Sequence, residues 1–201
     1  MAFYPLMRPI VPDPYPGEFE SVTDFVHETR PVLAREPDAL EDAVRAKVSY
    51  IADEDYTVSF KMDGVARSVT VPRGMLTDLA SVPRAAWGIV GAVGPHLEAS
   101  IVHDYLYIAW QLFDGREPRK IDYEFANEVM YAGMDAADVS WSERTAFKDA
   151  FSGPGISWGV FKSRDDGLDG KSLFVDLSQQ AAMRSAQKRC RQTELENERY
   201  A

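Results

Sequence analysis

The sequence predicts an α+β protein, with a small antiparallel sheet followed by three or four packed helices, an N-terminal extended arm and a C-terminal helix. Three segments between residues 47 and 71 alternate apolar with polar residues or are rich in Val, Tyr and Thr, which is typical of strands. The segment Leu97–Phe113 is apolar nearly all round, which indicates a helix in the middle of a domain. We expect a proline-rich arm at 1–20, an α+β core domain at 21–162, and a glycine-containing linker with a C-terminal helix at 163–201.

The first 20 residues contain five prolines, at positions 5, 9, 12, 14 and 16. Proline has no amide donor and favours extended chain, so this segment cannot form a regular strand ladder. Large apolar residues are interleaved with the prolines, namely Phe3, Tyr4, Leu6, Met7, Ile10 and Tyr15. The alternatives are a disordered tail and an arm that lies on another surface. We expect the arm, and we expect that surface to belong to another chain.

Short strands are predicted at Lys47–Ile51, Tyr56–Lys61 and Ala66–Val71. Asp63 and Gly64 supply the hairpin turn between the last two strands. Pro72 and Gly74 are expected to end the sheet. Upstream, residues 21–46 carry a mixed pattern, in which a short helix capped by Asp38 is predicted.

Helical patterns fill the rest of the chain. A short helix capped by Asp78 or Ser81 is predicted to run to residue 89, beside the central helix. The capping box Ser140-Trp-Ser-Glu143 begins a further helix that ends before Gly153. The other predicted helices cover residues 121–134 and 177–200, the last being long, charged and free of Gly and Pro.

Composition excludes several classes of function. The 22 basic and 32 acidic residues give a net charge of −10, which argues against nucleic-acid binding because that needs clustered Lys and Arg. The single cysteine, Cys190, excludes an intramolecular disulfide framework and a cysteine-based zinc cluster. No apolar run approaches the roughly 18–20 residues of a transmembrane helix. The N-terminus lacks the features of a signal peptide, so the expected location is cytoplasm or an assembly made there.

Two polar residues, His103 and Asp104, interrupt the apolar central helix. A buried polar group without a partner costs about 1–3 kcal/mol, so both residues need partners. Tyr107 lies one turn from His103 on the same face. Asp122, at the start of the next helix, is the first candidate to orient the His103 ring, and Asp78 is the second. The alternative interpretation is a satisfied core histidine, with Asp122 favoured by the helix dipole and Asp78 serving as a cap.

Two blocks of the sequence resemble an uncharacterised protein family. They are VPRGMLTDLASVPR at residues 71–84 and HDYLY at residues 103–107, followed by RKIDYEFANEVM. The resembling family is a domain of unknown function found in tailed bacteriophages and prophage regions, and its motifs are VPxGxxTDLASVPR and HDxxY. The resemblance covers about residues 47–162. It implies a virion setting and supplies no mechanism.

A second resemblance is mechanistic. His103-Asp104-x-x-Tyr107, followed by Arg119-x-Ile121-Asp122, is similar to the two-helix core of prokaryotic phospholipase A2. This resemblance implies that His103 is a general base for water, that Asp104 binds calcium, and that Asp122 orients His103, with Tyr107 supporting the network. Asp78 is a further candidate metal ligand. An HD-type metal phosphohydrolase would need another upstream histidine, and only His27 and His96 are available.

Two hypotheses of function follow. The first is a phage-type virion protein, tail-associated, that is structural or acts in assembly and binds neighbouring chains through the N-terminal arm and the C-terminal helix. It would be found in the virion or the host cytoplasm. The second is a calcium-dependent lipid or ester hydrolase built on His103, Asp104 and Asp122. Beyond that calcium ion, no cofactor is assigned.

Overall fold

The chain forms two three-stranded antiparallel sheets and four α-helices within the part that the structure describes. That structure is a computed structural model, which describes residues 8–34, 50–77, 95–152, 156–163, 174 and 176–177. The strands are β1 (Val22–His27), β2 (Leu33–Ala34), β3 (Tyr50–Ala52), β4 (Tyr56–Met62), β5 (Val65–Val71) and β6 (Leu76–Thr77). The helices are α1 (Leu97–Ile108), a 3-10 turn (Ala109–Leu112), α2 (Lys120–Ala136), α3 (Trp141–Ser152) and α4 (Ile156–Ser163). The predicted order of antiparallel strands before packed helices is confirmed, but the strands form two small sheets where one was expected, because β3 pairs with β2 and β6 rather than with β4 or β5.

The first sheet has the strand order β1-β4-β5. Asp63 and Gly64, at φ of 52° and 77°, form the two-residue turn that joins β4 to β5 as predicted. Positive φ at both central positions is the geometry of the turn that matches the strand twist. The Asp63 carboxylate also accepts the backbone N–H groups of Glu20 and Ser21, at 3.0 and 2.8 Å, and these bonds lower its pKa. The turn therefore holds the chain that enters β1.

Strand β1 lies within a region whose mixed pattern predicted no strand. Its pairing with β4 shifts register between Thr23 and Val26, and Asp24 has a φ of 52°. Such an irregularity breaks the period-2 alternation by which a strand is recognised from sequence. Phe25 is the one buried residue of this strand, and it packs in the core.

The second sheet has the order β2-β3-β6, and it corrects the expectation that pairing ends at Pro72. Gly74, at a φ of 89°, turns the chain back, and its N–H donates to the carbonyl of Ala52 at 2.7 Å. Leu76 and Thr77 then pair with Ile51 and Tyr50. Met75 is bridged on its other side by Phe174, which is fully buried.

The N-terminal segment 8–20 packs on its own domain. The Tyr15 hydroxyl is inserted into the central helix, donating to the carbonyl of Leu106 and accepting the N–H of Trp110 at 3.1 Å. It replaces the backbone bond that an α-helix would form between these two residues. This explains why the helix predicted over Leu97–Phe113 changes to 3-10 geometry at Ala109. The expectation that the arm lies on another chain is therefore wrong for residues 8–20.

Helices α1 and α2 pack against each other, and α2 also packs against β1. The contact is close at Gly133, where an added Cβ would lie 2.9 Å from the Cβ of Ala99 and 3.2 Å from the ring of Phe25. The capping box of α3 is confirmed, because the N–H of Glu143 donates to Ser140 Oγ and the N–H of Ser140 donates to Glu143 Oε2. Helix α4 lies in the glycine-rich stretch between Gly153 and Gly170, where no helix was predicted.

Several predictions fall outside the described residues. They are the helix capped by Asp38, the helix beginning at Asp78 or Ser81, the first seven residues of the arm, and the C-terminal helix beyond Leu177. Among the helices that the structure describes, none is both long enough and apolar enough to cross a membrane.

We predict that Gly133→Ala destabilises the protein by about 1–3 kcal/mol, because the added methyl group overpacks the contact of α2 with Ala99 and Phe25. Urea unfolding followed by circular dichroism measures this change. Gly159→Ala in α4 is the matched control, since nothing lies within 4 Å of its added Cβ. That change should raise stability by up to about 1 kcal/mol through helix propensity. Equal effects of the two substitutions would contradict the close packing at Gly133.

Candidate functional site

His103 lies in the core, on the face of α1 that contacts α2 and α3. Its side chain is 1% exposed, and its ring centroid is 4.0 Å from that of Tyr107 and 4.9 Å from that of Phe151. The ring nitrogen Nε2 is 3.0 Å from Asn127 Oδ1, which also accepts the Tyr107 hydroxyl at 3.0 Å. Because a carbonyl oxygen only accepts, Nε2 carries a proton in this arrangement. The predicted proximity of His103 and Tyr107 is confirmed.

Asp104 points away from His103, as the helical spacing predicts. Its side chain is buried, and its Oδ2 accepts the hydroxyl of Thr77 at 2.6 Å. Thr77 is the last residue of β6, so this bond joins the second sheet to the central helix. Asp78, the other candidate metal ligand, lies outside the described residues. Within the described ranges, no group of three His, Cys, Asp or Glu side chains could hold a metal ion.

Asp122 does not orient His103, contrary to the geometry expected from sequence. Its fully buried carboxylate is bound by two arginines of the α1–α2 connection. Arg116 Nη2 lies 3.1 Å from both oxygens, while Arg119 donates through Nε at 3.1 Å and Nη2 at 2.6 Å. The interaction with Asp122 raises the pKa of Arg119. The residue that meets His103 is instead Asn127, five positions further along α2.

Asn127 is the residue of this cluster that sequence reasoning missed. It is buried on a face of α2 that is otherwise apolar, beside Ala126 and Met130. An amide in such a position needs a polar partner, and the buried imidazole of His103 is that partner. The isolated polar residue in an apolar helix face was the available signal.

His27 and His96, the two other histidines, lie in separate places. The Nδ1 of His27 is 2.5 Å from the Tyr56 hydroxyl, and its Nε2 is 3.4 Å from a carboxylate oxygen of Glu98. Burial, and then the charge of Glu98, raises the pKa of Tyr56, so its hydroxyl stays protonated as a donor. His96 is buried against Phe147, and burial lowers its pKa. Neither histidine is hydrogen-bonded to His103.

A groove of about 490 Å³ lies elsewhere, between the N-terminal segment and the β4–β5 hairpin. One wall is the proline-rich chain from Pro9 to Pro16, and the other is the outer strand β5. Its apolar lining comes from strands of the first sheet and from helices α1 and α2, and includes Phe60, Met62, Val69, Tyr105 and Phe125. Its volume is within the range of about 300–1,000 Å³ that is usual for binding sites. Sequence analysis missed this groove, because segment 8–20 was expected to leave the domain.

Comparison with known proteins finds a match to a family of unknown function over part of the chain, and this match supplies no mechanism. Residues 53–148 match a family profile described as "Protein of unknown function (DUF1353)". The match begins three residues before β4 and ends within α3, and it is consistent with the expected resemblance to a domain of unknown function. No curated protein matches the chain, and no solved structure matches it.

We predict that Asn127→Leu destabilises the protein by about 1–3 kcal/mol, because two buried groups, the His103 Nε2 and the Tyr107 hydroxyl, lose their shared acceptor. A double-mutant cycle with Tyr107→Phe, read by urea unfolding, measures the interaction directly. We expect a coupling energy of about 0.5–3 kcal/mol. Additive effects of the two substitutions would show that the shared bond contributes nothing.

Asp122→Asn should cost about 3–5 kcal/mol, because it removes the buried carboxylate on which two arginines converge and leaves only the Asp13 carboxylate paired with Arg116. Thermal or urea unfolding measures the loss. Asp114→Asn is the matched control, since Asp114 pairs with Arg8 but is 93% exposed, and its loss should cost less than about 1 kcal/mol. A small effect at Asp122 would mean that this ion pair is not important for the fold.

Proposed function

We propose that the chain is a structural or assembly protein of a phage-type virion, tail-associated, that binds a neighbouring protein chain. The observation that carries this proposal is the groove beside β5, which offers an apolar surface next to the edge of a sheet. An open strand edge is a ready template for pairing with another chain. The sequence motifs at residues 71–84 and 103–107, which resemble a family of tailed phages and prophages, support the virion setting.

The polar cluster at His103 supports a structural role for that part of the molecule. His103 and Tyr107 share the Asn127 acceptor, Asp104 accepts from Thr77, and the Asp122 carboxylate is bound by two arginines. These bonds join α1 to α2 and to the second sheet. A paired polar network inside a core fixes the arrangement of the elements that carry it.

The proposed contacts with other chains change in one respect from those expected from the sequence. Segment 8–20 forms a wall of the groove, so it contributes to binding by shaping a surface rather than by reaching a neighbour. Residues 1–7 and the C-terminal segment beyond Leu177 remain candidates for contacts with other virion chains. The location proposed with this function is the virion, or the host cytoplasm before assembly.

Particles purified from the phage or induced prophage that encodes the chain test this function. The chain should remain with intact particles through a density gradient at a fixed ratio to the tail proteins, as measured by quantitative mass spectrometry. Deletion of its gene should give incomplete particles in electron micrographs, and expression from a plasmid should restore them. A chain that stays outside the particles, together with normal assembly after deletion, would contradict the proposal.

The second candidate is a calcium-dependent lipid or ester hydrolase. It is favoured by one observation, namely that Asn127 holds the His103 ring in a fixed orientation beside Tyr107. It would require His103 to act without the carboxylate of Asp122. Calorimetry with calcium and hydrolysis of phospholipid micelles test it. Cleavage that His103→Ala lowers by about 10²–10⁴-fold would favour the hydrolase over the assembly protein.

A further inference from the structure

Within the part of the chain that the structure describes, strand β5 has an unpaired edge beside the groove. Among the described residues it pairs only with β4, in continuous register from Val65↔Met62 to Val71↔Tyr56. The two-residue turn makes Met62 and Val65 a hydrogen-bonded pair, and such pairs alternate along an antiparallel ladder. The main-chain groups that point outwards therefore belong to the residues between the bonded ones, which are Ala66, Ser68 and Thr70.

The two edges of this sheet differ. At the other edge, β1 has a register shift and a residue at positive φ, Asp24, whose carboxylate pairs with Lys61 at 2.8 Å. Bulges and charges of this kind are how natural sheets prevent pairing at an edge. Strand β5 has seven residues without a bulge or a proline. This difference indicates that the β5 edge, unlike the β1 edge, can pair with an added strand.

The surroundings of the β5 edge suit an extended chain. The facing wall contains Pro9, Pro12, Pro14 and Pro16, which have no N–H groups with which to pair with β5 themselves. Phe60 and Val69 line the groove between the walls, and Ile10 at the groove is fully exposed. A strand added to β5 would place alternate side chains against this apolar lining.

The charged residues that line the groove indicate the charge that its occupant carries. Three charged residues of the groove have partners, because Asp13 pairs with Arg116, Arg73 pairs with Asp53, and Asp55 accepts the N–H of Arg73. Arg67 also lines the groove, and no hydrogen bond or ion pair to its guanidinium occurs within the described part of the chain. Of the two arginines and two aspartates that line the groove, Arg67 is therefore the one that has no such partner among the described residues. An occupant with a carboxylate beside Arg67 fits this charge.

We infer that the groove binds an extended segment of another protein chain, which pairs with the outer edge of β5 and places an acidic side chain against Arg67. The partner's apolar side chains, two residues away from the acidic one, lie on Phe60 and Val69. This inference rests on the proposed function for one point, the identity of the partner as a virion protein. The binding itself is tested with the purified chain alone.

Selection of random nonapeptides by mRNA display on the immobilised full-length chain tests the binding. Selected peptides should carry Asp or Glu at one position and apolar residues two positions away. Arg67→Glu should lower the affinity of these peptides at least about tenfold and should shift the selected residue from acidic to basic. Arg30→Glu is the matched control, because Arg30 is exposed and lies outside the groove lining. It should leave both affinity and preference unchanged.

Ser68→Pro tests the main-chain pairing. Proline is tolerated at an edge position whose N–H faces outwards, so the sheet should fold while the donor is lost. Peptide binding should then fall at least about tenfold, whereas Ser68→Ala, which keeps the N–H, should bind as before.

Amide exchange on the unaltered protein gives a second measurement that does not depend on the folding of a variant. A selected peptide should protect the Ser68 and Thr70 amides and leave that of Thr57, on β4, unchanged.

Several results would overturn the inference. They are no enrichment over the bare support, selected peptides that protect none of the β5 amides, and an acidic preference that persists in Arg67→Glu. Sedimentation that shows a dimer in the full-length chain, converted to a monomer by Ser68→Pro, would assign the edge to a second copy instead. Each of these results leaves the test on purified particles unaffected, so the virion function and the peptide site are judged separately.

Discussion

The buried ion pair of Asp122 with Arg116 and Arg119 is the interaction on which the arrangement of the N-terminal half depends. Two charges from the α1–α2 connection converge on a fully buried carboxylate in the first turn of α2. The same arginines then reach the N-terminal segment, Arg116 through Asp13 and Arg119 through the carbonyl of Pro16 at 3.0 Å. Because the segment is held there, it stands opposite β5 and forms the groove.

Tyr15 shows how closely this segment and the helix depend on each other. Its hydroxyl lies between Leu106 and Trp110, and the guanidinium of Arg116 lies 4.8 Å from its ring centroid. Burial is the main cause that raises the pKa of Tyr15 well above its usual value, so the hydroxyl remains a donor. The central helix thus ends where a residue from the start of the chain enters it, and neither part has this geometry alone.

The sequence predicted the elements whose signals are local. The Asp63-Gly64 turn, the capping box of α3 and the apolar stretch of α1 were all recognised, since each signal comes from residues close together in the sequence. The partner of His103 was not recognised, because the number of residues between positions 103 and 122 does not determine which residue of α2 faces α1. Arg119, the residue just before α2, and Asp122 are three residues apart, a spacing that favours their own pairing, and this signal was overlooked.

Strand β1 and the position of segment 8–20 could not be found from local pattern. A bulge removes the alternation in β1, and the prolines of the N-terminal segment resemble those of a linker. Arg8, Asp13 and Tyr15 find partners more than 90 residues away, at positions that only the folded chain brings together. The groove therefore depends on contacts between residues far apart in the sequence, whereas the His103 cluster depends on the packing of two neighbouring helices.

The long-range docking of Tyr15 has a consequence for synthesis on the ribosome. The partners of this segment lie 91 to 106 positions later in the chain. At about 5–20 residues per second, they emerge roughly 5–20 s after it. The β4–β5 hairpin emerges before that interval ends, because β5 is completed at Val71, ahead of Leu106. Proline lacks the amide donor needed to pair with a strand, so the prolines at 9, 12, 14 and 16 disfavour pairing of this segment with the hairpin before its helix emerges.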